Sequence, residues 1–445
     1  MKKLSGGQYM VEKIINELTG KKILILGFGK EGRSSLNFLK RYEVNAKIGI
    51  SDQNLSPEDI EVLKKQQNIS VHSGENYLES IAGYNFILKA PGIPSRYLSM
   101  NQDQILSSQT DLFLMAFHDQ TIGITGTKGK STTASLVYHL LSESGKTSLL
   151  TGNIGIPCFD VIPEITPETH VVFELSANQL ENTCHSPHIA IFLNLYEEHL
   201  DHFGTFEAYK NAKMNIFKHR RPSDFLIIHK DFLYLADSTP QTNILTYPDD
   251  EMSGFTADKL KGLHNRLNIQ AAVLSTKILG LSEAEISLKL NTFKGLPHRL
   301  EFVDDKSGIA FYNDSIATIP EATIAALESL TKVDWLIIGG FDRGINYEIL
   351  ANYLLNKPVN HVFYTGKAGK RIIELIIKHT HHIDIKAFDK LEEVFDTLRE
   401  SGKSGDVCLL SPAAASYDQY RNFEHRGDTF KDLANQFTRN SLSYK

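Results

Sequence analysis

Short β-branched runs alternate with helix-period segments along almost the whole chain, and this rhythm is the strongest constraint on its fold. A first series opens with KILILGFGKEGRSSLNFLKRY, which reads as strand, glycine turn and helix, and continues through AKIGISD and NFILKAPGIP. TIGITG, HVVFELS and IAIFLNL make a second series, and DWLIIGG, HVFYTG and DVCLLSP a third. Strands separated by helices pair in parallel through crossovers, so the predicted class is α/β with mostly parallel sheets. A chain of 445 residues exceeds one ordinary core. The three series therefore predict three domains, 1–119, 120–298 and 299–445, with the second border inside GLPHRLEFV. Ahead of them, Val11, Ile14, Ile15 and Leu18 mark one face of a short amphipathic helix.

Composition narrows the partners. Hydrophobic residues at 41% and charged residues at 22% fit a soluble globular chain, and a net charge of −6 argues against a general nucleic-acid binder. No apolar run approaches the roughly 20 residues of a membrane helix, and the opening segment lacks a signal-peptide core. Cys158, Cys184 and Cys408 are widely spaced and read as reduced thiols. A cytoplasmic protein is the expectation.

The most informative stretch is TIGITGTKGKSTTASLVYHLL, Thr121 to Leu141. A strand feeding Gly126, Thr127, Lys128, Gly129, Lys130 and Ser131 into a helix leaves backbone N–H groups at the helix start, a ready anion site. Lys130 can reach terminal phosphates, and Ser131 or Thr132 can ligate Mg²⁺. The spacing is a variant one, because Ile124 stands where the common phosphate-loop consensus has glycine. The alternative is a tight strand-to-helix turn with an exposed lysine.

The earlier GFGKEGR carries Gly27-x-Gly29-x-x-Gly32, with Asp52 about twenty positions on, and by itself reads as a dinucleotide site. The other account is that the same fold binds a different nucleotide diphosphate. Glu174 closes the strand of VVFELSANQLE, where an acidic residue beside a phosphate loop usually holds Mg²⁺. NLYEEHLDHFGTFEAYKNAK packs Glu197, Glu198, His199, Asp201 and His202 together; without cysteine or HExxH, hard oxygen ligands favour Mg²⁺ over zinc. Taken singly, Lys213 is a solvated helix lysine, Arg299 a surface ion-pair partner and Asp314 a helix N-cap.

In order, GITGTKGKST, FELSANQLE, EEHLDHFGTFEAYKNAK, HNRLN, GLPHRLE, YNDSIAT and LLSPAAASYDQYRNFEHRGDTF resemble a Mur ligase over nearly the whole chain. The nearest resemblance is to the branch that joins glutamate to UDP-N-acetylmuramoyl-L-alanine. This resemblance implies a Rossmann-like UDP-binding domain, a central P-loop ATPase-like domain and a C-terminal Rossmann-like domain that binds glutamate. It implies that the loop Gly126 to Thr132 holds ATP, that Lys130 is catalytic, and that Ser131 and Glu174 hold the nucleotide-bound Mg²⁺. His199 would sit on a second Mg²⁺ with Lys213, at the position carbamylated in the family. Asn268, Arg299 and Asp314 would contact ATP. Gly27, Phe28, Asp52 and Gly92 would hold the uridine nucleotide, and Asn153, Ser176 and Gln179 the rest of that substrate, so the first glycine loop is similar to a UDP site and not an NAD site. Arg343, Ser416 and Phe423 match glutamate contacts. A monomer is expected.

The match breaks in two places. Ile316 replaces a lysine of the family's NDSKATN pattern that helps recognise glutamate, and GFGKEGR differs from the commoner first loop. Losing a charge partner for a carboxylate matters at a desolvated site. D-glutamate is the family default, and a subgroup that attaches L-glutamate is the rival. Outside this branch stand a folylpolyglutamate synthase-like ligase, a P-loop ATPase module without ligase activity and a Rossmann oxidoreductase.

Overall fold

The computed structural model describes residues 6–443 except 67, 258–259, 261, 358 and 378–382. Three sheets carry the fold. The first contains β1 (Lys22–Leu26), β2 (Lys47–Asp52), β3 (Ile69–Ser73), β4 (Phe86–Lys89) and β5 (Ile105–Ser107), all parallel in the order β3-β2-β1-β4-β5. Ile23 to Leu26 are buried without alternation, as expected of a central parallel strand covered on both faces. Gly32 opens the following helix, Lys30–Arg41, under tight contact: a Cβ there would lie 2.1 Å from the carbonyl oxygen of Gly27. Only glycine lets the helix start this close to the loop.

The second sheet contains β6 (Thr121–Thr125), β7 (Ser148–Gly152), β8 (His170–Glu174), β9 (Ile189–Phe192), β10 (Phe225–His229) and β11 (Ile244–Tyr247). It is again parallel, in the order β11-β10-β9-β6-β8-β7. The chain places β7 at the edge and returns with β8 beside β6, then crosses to build β9, β10 and β11 outward on the other side. The carboxyl end of β6 is thus a topological switch point, the usual ligand position in open α/β sheets.

The third sheet contains β12 (Glu301–Asp304), β13 (Ala310–Asn313), β14 (Trp335–Gly339), β15 (His361–Thr365), β16 (Asp384–Ala387) and β17 (Val407–Leu410), in the order β12-β13-β17-β14-β15-β16. Its β12–β13 pair is antiparallel and the other pairs are parallel. Side chains alternate between two cores: Leu336, Ile338 and Leu409 pack on one face, Trp335, Ile337, Cys408 and Leu410 on the other.

The chain forms two compact units. One holds the first two sheets, through Thr256 and again over Leu267–Leu290; the other holds Ala257–Arg266 and the chain from Asn291 onward. In the first unit one apolar core joins Val11, Ile14 and Leu18 of the amino-terminal helix Gly6–Leu18 to residues that include Phe217 and Leu226, and a separate cluster holds Leu24, Leu26, Ile81 and Ile87. The expected amphipathic face is the buried one. Phe113, in the almost wholly buried helix Gln109–Phe117, packs edge-on against Phe173 of β8.

Polar groups line the amino edge of the second sheet. Asp224, fully buried, lies 3.0 Å from His118 Nε2 and 3.0 Å from His188 Nδ1, while Asp119 lies 2.6 Å from His118 Nδ1. Cys158 and Cys408 are buried, Cys184 is exposed, and all three are free thiols. No described helix is long and apolar enough to cross a membrane.

Candidate active site

The phosphate-loop sequence lies at the switch point of the second sheet. Gly126 to Gly129 connect β6 to the helix Lys130–Glu143. Gly129 has φ +86°, and a Cβ there would lie 2.4 Å from Asn268 Oδ1. A side chain is excluded twice, by backbone conformation and by Asn268, so the expected neighbour of the nucleotide stands directly against the loop. Asn194, just past β9, braces the turn: its Oδ1 accepts from Lys128 N at 2.8 Å and its Nδ2 donates to Lys128 O at 3.0 Å. Thr127 Oγ1 accepts from Tyr196 N at 2.9 Å and lies 3.0 Å from the Tyr209 hydroxyl. Ser131 and Thr132 occupy the first turn of the helix.

Two lysines converge on one carbonyl of this loop. Lys130 Nζ donates to Gly126 O at 2.9 Å and Thr127 O at 3.0 Å. Lys213 Nζ donates to Gly126 O at 2.7 Å and lies 4.9 Å from the centre of the Tyr209 ring. Lys213 is only 1% exposed, on the helix Phe206–Lys218. Its sequence position alone suggested a solvated lysine, and the structure corrects that. Burial, then the neighbouring Lys130, push its ammonium well below the usual lysine value.

Glu174 ends β8 and is fully buried. Its Oε1 accepts from Asn153 Nδ2 at 2.9 Å, and its Oε2 is buried with no hydrogen-bond partner. A buried carboxylate oxygen lacking a donor suits a hard cation. His199 is exposed, with φ +57°, at the start of the turn Leu200–Phe203. Glu198 lies between the groups, 2.7 Å from Lys128 Nζ and 3.8 Å from His199 Nε2. Among the described residues no group of three or more His, Cys, Asp and Glu is arranged to hold a metal ion.

The first glycine loop is organised by Asp52. Its Oδ2 accepts from Phe28 N at 2.7 Å and its Oδ1 from Asn54 N at 2.8 Å. Arg33 stacks on the Phe28 ring at 4.7 Å and pairs with Asp59 at 2.6 Å. Gly92 has open space where a Cβ would stand. Ser176 and Gln179 form a reciprocal capping box, and Gln179 Nε2 donates to Glu31 Oε1 at 2.8 Å. The Gln179 amide is thus engaged at both ends.

The remaining candidates belong to the second unit. Asp314 is not a helix N-cap: it follows β13, and the next helix, Pro320–Ser329, starts behind Ile319. Its carboxylate instead accepts from Leu300 N at 3.0 Å and from Ser411 Oγ at 2.8 Å, and burial pushes it up to about 7. It thereby holds the turn carrying the exposed Arg299. Arg343 Nη2 donates to Thr318 O at 2.7 Å, two residues from the half-buried Ile316. Ser416 is buried, and Phe423 O accepts from Ser315 Oγ at 2.8 Å. Arg426, within the NFEHRG segment, is a further structural residue that its local sequence does not distinguish from a surface arginine. Buried, it donates to Ser315 Oγ at 3.0 Å, Ser315 O at 2.9 Å and Ala414 O at 3.0 Å, joining the two loops that carry these candidates.

Comparison with known proteins finds three matching family domains along the chain. Residues 21–106 match the Mur ligase MurD-like N-terminal domain, 124–291 the Mur ligase middle domain and 298–414 the Mur ligase glutamate ligase domain. A UDP-N-acetylmuramoylalanine–D-glutamate ligase of Clostridium kluyveri is 34% identical, over 93% of this chain and 96% of the relative. One of the same description from Ligilactobacillus salivarius is 33% identical, over 96% and 98%. Among solved structures, a MurF ligase from Thermotoga maritima in complex with ADP shares the fold at TM-score 0.57 and 18% identity, covering 97% of each chain. The architecture, the domain matches and the full-length relatives agree: the chain belongs to the Mur ligase family, on its MurD-like branch.

Proposed function

We propose that the protein joins D-glutamate to UDP-N-acetylmuramoyl-L-alanine, consuming ATP and releasing ADP and phosphate in peptidoglycan precursor synthesis. The observation that carries this reading is the convergence of Lys130 and buried Lys213 on Gly126 O, at the carboxyl end of β6. Residues 1–119 are assigned to the uridine nucleotide, 120–298 to ATP and 299–445 to glutamate. The relatives' name supplies the substrates; the enzyme acts in the cytoplasm as a monomer and needs no NAD.

The chemistry accounts for the residues. A carboxylate oxygen is a poor leaving group, so the terminal alanine carboxylate first takes the γ-phosphoryl group, giving an acyl phosphate and ADP. The glutamate amine then attacks the carbonyl carbon, loses a proton, and phosphate departs as the amide forms. Lys130 and the loop N–H groups offset the charge of bringing two anions together. Ser131, Glu174, His199 and Lys213 are assigned to two Mg²⁺ ions, which supply charge neutralisation at the phosphates. The depressed ammonium of Lys213 favours the neutral amine that carbamylation requires, and a carbamate there would offer hard oxygen atoms to Mg²⁺. Ser176, Gln179 and Asn153 are assigned to the muramoyl end, Arg343, Ser416 and Phe423 to glutamate.

Ile316 favours a second reading, L-glutamate, since the loop lacks the lysine expected there. The guanidinium of Arg343 reaches the same loop and can supply the cation. Phosphate release with D- and L-glutamate in parallel, with and without the muramoyl nucleotide, tests both readings. The proposal expects release only with nucleotide substrate and D-glutamate together; equal release without the nucleotide overturns the ligase, and release with L-glutamate alone overturns the stereochemistry.

A further inference from the structure

A buried ion pair joins the carboxyl ends of the first two sheets. The side chain of Lys89, the last residue of β4, is 2% exposed, and its Nζ donates to Glu181 Oε2 at 2.8 Å and to Ile93 O at 2.8 Å. Glu181 directly follows the Ser176–Leu180 turn. Its Oε1 accepts from Ser95 N at 3.3 Å, and its Oε2 also lies 3.4 Å from His202 Nε2. His202 belongs to the turn that His199 opens, and its Nδ1 lies 3.2 Å from Asn178 Nδ2. One carboxylate thereby ties together the loop carrying Gly92, the turn carrying Ser176 and Gln179, and the turn led by His199.

A buried ion pair is seldom more stabilising than a well-packed apolar pair of similar size, because desolvation offsets the attraction. What charge adds here is direction. Lys89 and Glu181 each hold groups from more than one segment at fixed distances, which apolar contact would leave free to slide. We propose that Lys89, Glu181 and His202 are positioning residues that set the spacing between the loop carrying Gly92 and the His199 turn. A nucleotide sugar held by the loops of the first sheet, the Gly92 loop among them, then presents its far carboxylate at the phosphate loop. The inference rests on the ligase reading above and adds residues that reading does not use.

The test uses the full-length protein. The Lys89→Met/Glu181→Met double variant removes both charges at once. Its expected thermal midpoint is close to wild type, with KM for the muramoyl nucleotide raised, kcat lowered on the order of tenfold or more, and KM for ATP unchanged. His202→Gln leaves the ion pair in place. It is expected to raise the Mg²⁺ concentration for half-maximal turnover severalfold while KM for the muramoyl nucleotide stays put. Wild-type kinetics and Mg²⁺ dependence in both variants overturn the proposal. Should the double variant not fold, the Mg²⁺ shift of His202→Gln decides alone. Wild-type protein run alongside separates the two levels: without substrate-dependent phosphate release, the ligase reading fails and this inference with it.

Discussion

The Asp314→Asn substitution gives the sharpest physical prediction, because it opposes a proposed ATP-contacting residue to the stability of its own unit. Burial raises the Asp314 carboxyl to about 7, with the hydrogen bonds from Ser411 and Leu300 opposing. In the unfolded chain the same group titrates near ~3.9. Between those values the folded protein binds the extra proton, so stability is fully present below about pH 4 and is lost as pH rises through about 7. The gap of roughly three pH units corresponds to about 4 kcal/mol at most. Asparagine has no such titration. Its Oδ1 can keep the Leu300 N bond, and the Ser411 hydroxyl can turn toward Thr323 Oγ1 at 3.1 Å while accepting from the new amide. Urea unfolding of both proteins at pH 5 and pH 8 is the assay. The Asn variant should gain on wild type by a few kcal/mol between the two pH values, even where turnover is lost. A gap that stays constant with pH would refute the assignment of a largely protonated Asp314 below neutrality.

Gly129→Ala should raise KM for ATP and lower the thermal midpoint by a few degrees, since the left-handed backbone costs about 1–2 kcal/mol and Asn268 must move. Calorimetry with and without ATP checks it. Lys213→Met should abolish phosphate release yet melt no earlier than wild type, because an apolar chain of similar length replaces a buried amine whose charged form is disfavoured there. For His118, burial pulls the imidazole down but the bonds to Asp224 and Asp119 outweigh it, so its value is raised. Its contribution is fully present below about pH 6.5 and fades as pH rises through the folded value. His118→Gln should therefore flatten the decline in thermal midpoint above that pH without altering KM.

Much of the fold was legible because buried parallel strands leave continuous apolar runs, as in KILIL and HVVFE. The glycine spacings were readable for a related reason: close approaches such as Gly32 to the Gly27 carbonyl admit one residue type. Side-chain environments were less so. Nothing in the helical period of FEAYKNAK says that Lys213 faces inward, because its burial comes from the β6 loop more than eighty residues earlier. Asp314 looked like a cap because caps are local, whereas its partners Leu300 and Ser411 come from distant loops. The Lys89–Glu181 pair was invisible for the same reason, being formed across 92 positions.

The three thiols offer a practical consequence. With Cys158 and Cys408 enclosed, Cys184 is the natural handle for attaching a fluorophore without engineering the chain. It stands three residues past Glu181. Burial and nearby Asp111 raise its thiol, so maleimide coupling should go faster at mildly alkaline pH than at neutrality. Emission from such a dye would then report whether adding the muramoyl nucleotide disturbs the segment where the two sheets are tied.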